Sequence, residues 1–461
     1  MTEDILVEVS PGETRIAFVD ERDRLQEFLI ERIDDRPLRE GVFRGRVAKI
    51  ERGIGGAFVD IGIGENVFLN RAQGLHEGER LVAQVFREAS AGKAPAVRRE
   101  ISIAGRYLVF RPGGTEVQWP KRMKSGRKFE ELRPIFEESD LTEEGWSVRS
   151  QAVHAEATAL LSEMDALRRR WSDAVSRDDR ETVLLPPPTL IERVLRDRIA
   201  GDSVVMLDDR NLFHDLSRLV RENWPDLRKC LAFYDSEEPI FETYGVGDEL
   251  EALIEPQVPL PRGGRMTIEP TEAMTVIDVD MGGAGGGRQK DDAVLTVNLS
   301  AAAEVARQIR LRNIAGLIVV DFINMRQRSH GRKIVEAMRR EFGDSPVPVD
   351  VLGMTAGGLL EITRRRDGPA LYETLMSQRT AAMRLSSEYV LCAALRAALR
   401  LKGAGGFRLI VSNAVASLLK GSFASAFEET RRRMGGALEL VEDQSVIDYR
   451  IETIRRPENG R

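Results

Sequence analysis

The chain has 461 residues and sets 68 Lys and Arg against 74 Asp and Glu, a formal net charge of −6. Ten of the basic residues are Lys, leaving 58 Arg, a bias that either a GC-rich coding sequence or phosphate recognition produces. The length points to two to four domains at about 100–200 residues each, and the high but well-mixed charge excludes a disordered chain. The acidic start, MTEDILVEVS, lacks the basic and apolar regions of a secretory signal. The longest aliphatic stretch, 316–323, is broken by Asp321 and is too short to span a bilayer. Two distant cysteines, Cys230 and Cys392, exclude a disulfide framework and a Cys-pair zinc site, and 4 His make a His-rich metal centre unexpected. A cytoplasmic protein without a membrane span is the expectation.

In chain order, residues 4–33 carry short apolar runs, ILVEV and TRIAFVD, which read as strands of a sheet completed elsewhere. Residues 41–103 alternate and are punctuated by Gly-rich turns, the pattern of a small β-barrel. Residues 104–184 mix strands, RYLVF and WSVRS, with a helix from Ala152 to Val175. The run Pro186-Pro187-Pro188 is a stiff boundary. Beyond it LIERVLRDRI is helical by spacing, and SVVMLDD reads as a strand leading into a helix. Residues 266–323 read as strand MTVIDVDM, Gly-rich loop 282–287, strand AVLTVNLS, helix Ala301–Arg312 and strand GLIVVDFI. A helix over 329–342 and a strand VDVLGM follow, and 374–456 reads helix, strand, helix, strand. The fold class expected is α/β (α+β) and multidomain.

Asp278 and Asp321 fall at or near the ends of two apolar strands. Carboxylates brought together across strand ends do not both ionise cheaply without a cation, and Mg²⁺ takes one or two carboxylates while keeping several waters. Asp280 follows two residues after Asp278, so in a strand it shares that face. A capping role for such acids is the alternative. From Arg307 to Arg340 nine Arg or Lys stand against two acids, and Arg364, Arg365 and Arg366 follow. Such a local excess beside an acid cluster suits a polyanion. Arg326, Arg328, His330 and Arg332 start just past a strand end, whereas Arg339 and Arg340 fit a solvated helix face. On the barrel, Phe58 and Phe68 sit near turns with Lys49, Arg52 and Lys93 in the same segment, which suits base stacking as well as an ordinary core. Neither Gly-rich segment fits a nucleotide-binding loop.

The order of EGVFRGRVAKIERGIGGAFVDIG, TVIDVDMGGA, NLSAAAEVARQIRLRNIAGLIVVDFINM and GLLEITRRR resembles the bacterial ribonuclease E/G family over residues 15–370, and more loosely to 456. The resemblance implies an endoribonuclease for single-stranded RNA. Its architecture would be an RNase H-like part in two segments, 1–40 and 185–250, interrupted by an S1-like (OB-type) barrel at 41–103 and a 5′-sensor domain at 104–184. A DNase I-like catalytic domain at 251–373 and a small C-terminal α/β domain at 374–461 would complete it. By motif, Asp278 and Asp321 would hold Mg²⁺, with Mn²⁺ as the alternative. Phe58, Phe68 and Lys93 would grip RNA, and Gly105, Val109, Arg149 and Ser150 would read a 5′-monophosphate.

Several positions depart from the family pattern. Asp280 stands where the family has Asn, Ser150 where it has Thr, and a further sensor arginine falls near Pro348. The Cys-x-x-Cys expected after residue 373 is absent, so neither structural zinc nor a zinc-linked oligomer is expected, and any oligomer would use another surface. No long C-terminal scaffold for partner recruitment is expected either. The reading is a Mg²⁺-dependent endoribonuclease that leaves 5′-phosphate and 3′-hydroxyl ends in RNA processing or decay. The rival is an RNA-binding protein with weak or lost catalysis; DNA cleavage ranks below both.

Overall fold

Short apolar runs, buried on both faces in the first two strands, build the first sheet. Asp4–Ser10, Glu13–Val19 and Leu25–Arg32 form an antiparallel meander, in which Val7 lies opposite Ile16 and Ile16 opposite Leu29. Val205–Leu207, from much later in the chain, joins parallel to the first strand, and Leu231–Phe233 forms the outer edge. The computed structural model describes residues 4–89, 93–137, 141–199, 202–281, 290–325, 327–343, 345–377, 384–401, 406–435 and 438–454. The chain divides into two compact units, one of Met1–Asp34, Ser203–Arg210 and Ala232–Arg461, the other of Asp35–Asp202 and Asn211–Leu231.

The second unit begins with a closed barrel. Val42–Glu51 pairs with Gly56–Asp60 on one side and Arg80–Arg87 on the other. Asn66–Asn70 and Ala96–Arg98 complete the ring of five strands, and Val183–Leu185 adds to its rim. Inward residues such as Val47, Ala57, Val59, Val67, Leu69 and Val85 fill it. A four-stranded sheet follows, centred on Leu108–Pro112 and Glu144–Val148, with the Trp146 ring 4.7 Å from Phe110. Helices Arg127–Glu137 and Ala157–Val175 cover it with Leu132, Phe136, Leu160, Met164 and Leu167. The helix expected from Ala152 starts at Ala157, because a short 3₁₀ turn, Ser150–His154, comes first.

In the first unit a six-stranded sheet runs Gln257–Pro259, Arg265–Pro270, Met274–Asp280, Gly316–Asp321, Leu359–Arg364, Val349–Met354. One face packs Ile268, Ile277, Ile318, Val320, Leu360 and Ile362 against helices Lys290–Leu311 and Arg328–Glu341. The first helix corrects an expectation. AVLTVNLS, read as a strand for its β-branched residues, is its amino-terminal half. Val294, Leu295, Asn298, Ala301, Ala302 and Val305 are all buried at helical spacing, so the 3.6-residue stripe outweighs local β-propensity. The Gly-rich segment 282–287 lies outside the described residues.

The C-terminal part packs helices Ser387–Leu399, Asn413–Lys420 and Ala424–Arg433 on a three-stranded sheet, Leu438–Glu442, Gly406–Val411 and Tyr449–Ile454. The last strand was not anticipated; it pairs antiparallel with Gly406–Val411. Buried charges tie this part to the first sheet, where Glu13 bonds Arg396 and Glu8 meets Arg400 at 3.7 Å, while Glu8–Arg15 and Glu13–Arg32 brace the sheet itself. Among the described residues no helix is long and apolar enough to cross a membrane.

Candidate active site

Burial alternates along MTVIDVD, so Ile277 and Val279 enter the core while Asp278 and Asp280 stay exposed on the opposite face. The neighbouring strand Gly316–Asp321 is parallel, and its register sets Asp321 directly beside Asp278. Adjacent strands lie about 4.8 Å apart, so the two carboxylates share one strand end. Asp280 stays on the same face but lies opposite Arg265 of the antiparallel neighbour, whose guanidinium approaches it to 3.5 Å. The strands thus bring all three acids onto one face, with the charge of Asp280 balanced by Arg265.

Asp278 and Asp321 open onto a cavity of about 1110 Å³. Phe322, Ile323, Asn324 and Met325, leaving the strand, form one wall; Arg328, Arg332, Glu336 and Arg339 of the following helix form another; Met354, Thr355, Ala356, Gly357 and Gly358 close the third. The last is a tight turn: Thr355 Oγ1 accepts the Leu359 N–H at 3.1 Å, and Gly358 takes φ +91°, which a Cβ would strain. Behind the exit wall stands Asn298, wholly buried, which exchanges two hydrogen bonds with the Ile323 backbone. Its signal in the sequence, an amide on an apolar helical stripe, was hidden by reading that stretch as a strand.

The basic segment sorts itself by burial. Arg328 and Arg332 are exposed and line the cavity, and so does Arg339, which also donates to the Val351 carbonyl at 3.1 Å. His330, expected beside them, is 5% exposed and belongs to the core stripe with Ile334 and Met338. Arg326 lies outside the described residues. Arg307, Arg310 and Arg312 are engaged elsewhere: Arg307 with Glu304, Glu249 and the Leu25 carbonyl, Arg310 with the Glu341 carbonyl, and Arg312 with Gln308 and the Glu255 carbonyl. Burial pulls Arg312 down to about 10. Arg364 is likewise structural, donating to Asn313 and the Ile314 carbonyl.

Among the described residues no group of three or more His, Cys, Asp or Glu converges as a metal cage, and no ion pair satisfies Asp278 or Asp321. Two carboxylates side by side, neither in an ion pair, fit a hard divalent cation that keeps most of its waters, rather than a fully caged ion. Cys230 and Cys392 are buried, and burial pushes the Cys392 thiol up to about 12.

In the second unit, Phe58 and Phe68 are register neighbours on the barrel, half-buried, with ring centroids 5.6 Å apart in an edge-to-face pair. Lys49 is the register neighbour of Phe58 on its other side, and Lys93 is exposed ahead of the strand that pairs with Phe68. Gly56 is needed here, since a Cβ would come within 2.4 Å of the Phe68 ring.

Gly105, Val109 and Arg149 are also brought together. Arg149 Nη1 donates to the Gly105 carbonyl at 2.5 Å, and Val109 is paired with Ala104 and Ser147. Ser150 is exposed at the start of the 3₁₀ turn. Two partners were not foreseen. Asp197 takes Arg149 Nη2 at 2.7 Å, and although burial opposes its ionisation, Arg196 and Arg149 hold its carboxyl below the usual range. Glu163, 5% exposed, accepts the N–H groups of Arg106, Tyr107 and Leu108 at 2.6, 2.8 and 2.9 Å. A Cβ on Gly105 would come within 2.6 Å of that carboxylate. An acid on the apolar stripe of Leu160, Met164 and Leu167 was its visible signal.

The sequence matches the profile of the Ribonuclease E/G family over residues 102–367. It is similar to Ribonuclease G of Escherichia coli, 30% identical over 405 residues that cover 82% of this chain and 83% of that protein. Ribonuclease G of Haemophilus influenzae is 29% identical over 402 residues, 81% of this chain and 82% of its own. Ribonuclease E of a Nostoc species is 30% identical over 387 residues, 78% of this chain and 55% of its own.

Proposed function

The chain belongs to the ribonuclease E/G family, and from that premise we propose that it is a Mg²⁺-dependent endoribonuclease cutting single-stranded RNA in RNA processing or decay. The observation that carries the reading is the side-by-side register of Asp278 and Asp321 at a cavity lined by Arg328, Arg332 and Arg339. Asp278 and Asp321 would hold the cation. A bound Mg²⁺, or Mn²⁺ in its place, supplies Lewis-acid polarisation of the phosphodiester and a lower pKa for an attacking water. Arg328 and Arg332 orient the RNA phosphates. Asp280, tempered by Arg265, orients water at the same strand end. The water oxygen bonds to phosphorus, the bond to the 3′-oxygen breaks, and that oxygen takes a proton, which gives 5′-phosphate and 3′-hydroxyl ends.

The rest of the architecture supports this assignment. A meander of three strands with a parallel fourth beside its first strand suits an RNase H-like part. A closed five-stranded barrel presenting Phe58 and Phe68 suits an S1-like domain that stacks on unpaired bases, with Lys93 and Lys49 near the backbone. The sheet carrying Gly105, Val109, Arg149 and Ser150 suits a 5′-end sensor. The ion pair of Arg149 with Asp197 competes with a phosphate there, so the preference for 5′-monophosphate is weak.

A Mg²⁺ titration of cleavage on a short, labelled, unstructured RNA tests the reading. Asp321→Asn, which keeps shape and removes one charge, is expected to lower the rate by about 100-fold or more while the fold is retained. Cleavage at the parent rate by that variant would refute the assignment. The rival, an RNA-binding protein with weak or lost catalysis, draws on Asp280 and its ion pair with Arg265. RNA binding without Mg²⁺-stimulated cleavage would favour it.

A further inference from the structure

Asn298 lies in the amino-terminal half of the long helix Lys290–Leu311 and is 0% exposed. Its neighbours on that stripe are Val294, Ala301 and Val305. A primary amide among alkyl groups is costly unless both its halves are bonded. Both are, and to one residue: Asn298 Nδ2 donates to the Ile323 carbonyl at 2.8 Å, and the Ile323 N–H donates to Asn298 Oδ1 at 3.1 Å. A side chain thus reproduces the bond pair that a neighbouring strand would make.

The place where this happens matters. Asp321 is the last residue of its strand in register with Asp278 on one side and Leu359 on the other. Ile323 is two residues further on, where the sheet no longer supplies partners, and Asn324 and Met325 beyond it wall the cavity. The helix that carries Asn298 is itself fixed at its other end. Arg307 donates to the Leu25 carbonyl at 2.5 Å and to Glu249 at 2.8 Å, and Glu304 accepts from Arg24 at 2.6 Å. Asn298 is the point at which that anchored strut meets the exit of the Asp321 strand.

We infer that Asn298 is a positioning residue for catalysis: it pins Ile323, and through it holds the Asp321 carboxylate and the adjoining cavity wall in working geometry. This rests on the ribonuclease reading of the same site. Residues that orient metal-holding groups typically affect activity by about 10- to 100-fold when removed. RNA grip on the barrel and on Arg328 and Arg332 does not depend on Asn298, so the loss falls on kcat.

The test uses the full chain, Mg²⁺ and a short, labelled, unstructured RNA. Asn298→Ala is expected to lower kcat by about 10- to 100-fold with KM within about twofold. Without RNA or metal, hydrogen exchange is expected to quicken in the peptide spanning 318–325 and to stay unchanged over 300–311. Asn298→Asp keeps an acceptor but donates to the Ile323 carbonyl only when protonated, so its kcat relative to the parent should rise as pH falls. Asn298→Leu, which keeps the shape of the side chain and removes both bonds, should match the alanine variant and serves if that variant does not fold. Faster exchange at Ile323 with unchanged kcat would make the bond merely structural and overturn the inference, as would a change confined to KM. A parent chain that cuts no RNA overturns the ribonuclease reading itself, a result distinct from a parent that cuts and a variant that cuts equally well.

Discussion

Replacing Glu163 with Ala removes the acceptor of three buried backbone N–H groups at once, those of Arg106, Tyr107 and Leu108. Each bond from an amide to a charged group contributes about 1.5–3 kcal/mol. The sum is not fully realised, because burial pushes the Glu163 carboxyl up against the pull of those same amides. Glu163 also borders a cavity of about 660 Å³, from which water can reach part of the vacated site. A net local loss of about 3 kcal/mol follows, equivalent to about 100-fold faster exchange of those amides. Hydrogen exchange of the peptide spanning 104–110 measures it directly. Glu163→Gln keeps a carbonyl for Tyr107 and Leu108, which share Oε2, but turns an amide toward the Arg106 N–H. It should lose about one bond, roughly 1–2 kcal/mol. The expected order of protection is parent, then Gln, then Ala. Because Gly105 lies on this turn and Arg149 bonds to it through the Gly105 and Tyr107 carbonyls, discrimination between 5′-monophosphate and 5′-hydroxyl RNA should fall in the same order, while cleavage of 5′-hydroxyl RNA stays at the parent rate. Parent-like exchange in the Ala variant, or equal loss in both, would refute the assignment of the carboxylate as the shared acceptor.

Two further outcomes are expected. Asp208 accepts the Val9 N–H, and burial first, then the nearby charges of Glu8 and Asp209, push its carboxyl up to about 7. A raised folded value gives stability that is complete below the unfolded pKa and is lost as pH rises through about 7, so Asp208→Asn should gain over the parent from pH 5 to pH 8, by at most roughly 2.5 kcal/mol; an equal gap in urea denaturation at both pH values would contradict this. Phe58→Ala should weaken binding of a labelled single-stranded RNA without metal by about 5- to 100-fold, the value of one stacked base, and unchanged fluorescence anisotropy titrations would refute base stacking on Phe58.

The apolar runs MTVI and GLIVV were enough to put Asp278 and Asp321 at strand ends, and a period of two placed Asp280 on the face of Asp278, since neither step needs tertiary information. What paired Asp278 with Asp321 was the parallel register, and that depends on how the intervening helix packs. The same helix was half misread because Val294, Thr296 and Val297 favour strands locally, while Val294 and Leu295 join a buried stripe of helical spacing. Glu163 and Asp197 escaped notice for another reason. Their partners lie 55–57 and 48 positions earlier in the chain, at 106–108 and 149, and no local spacing reports such contacts.

The arginines show where composition stops being informative. Arg307 and Arg312 look in sequence like Arg328 and Arg332, yet the first two spend their donors on Glu304, Glu249, Gln308 and backbone carbonyls, while the second two face the cavity. Removing the engaged arginines leaves a cavity lining, among the described residues, of Arg328, Arg332 and Arg339 against Asp278, Asp321 and Glu336. Those formal charges cancel. On the proposed reading a divalent cation at the acid pair makes the lining positive, so attraction of RNA phosphates to the cavity is switched on with the cation. The barrel's grip through Phe58 and Phe68 needs no such change. RNA bound without metal should therefore be held by the barrel and remain uncommitted at the acids, which separates binding from cleavage in a way the chain's net charge of −6 conceals.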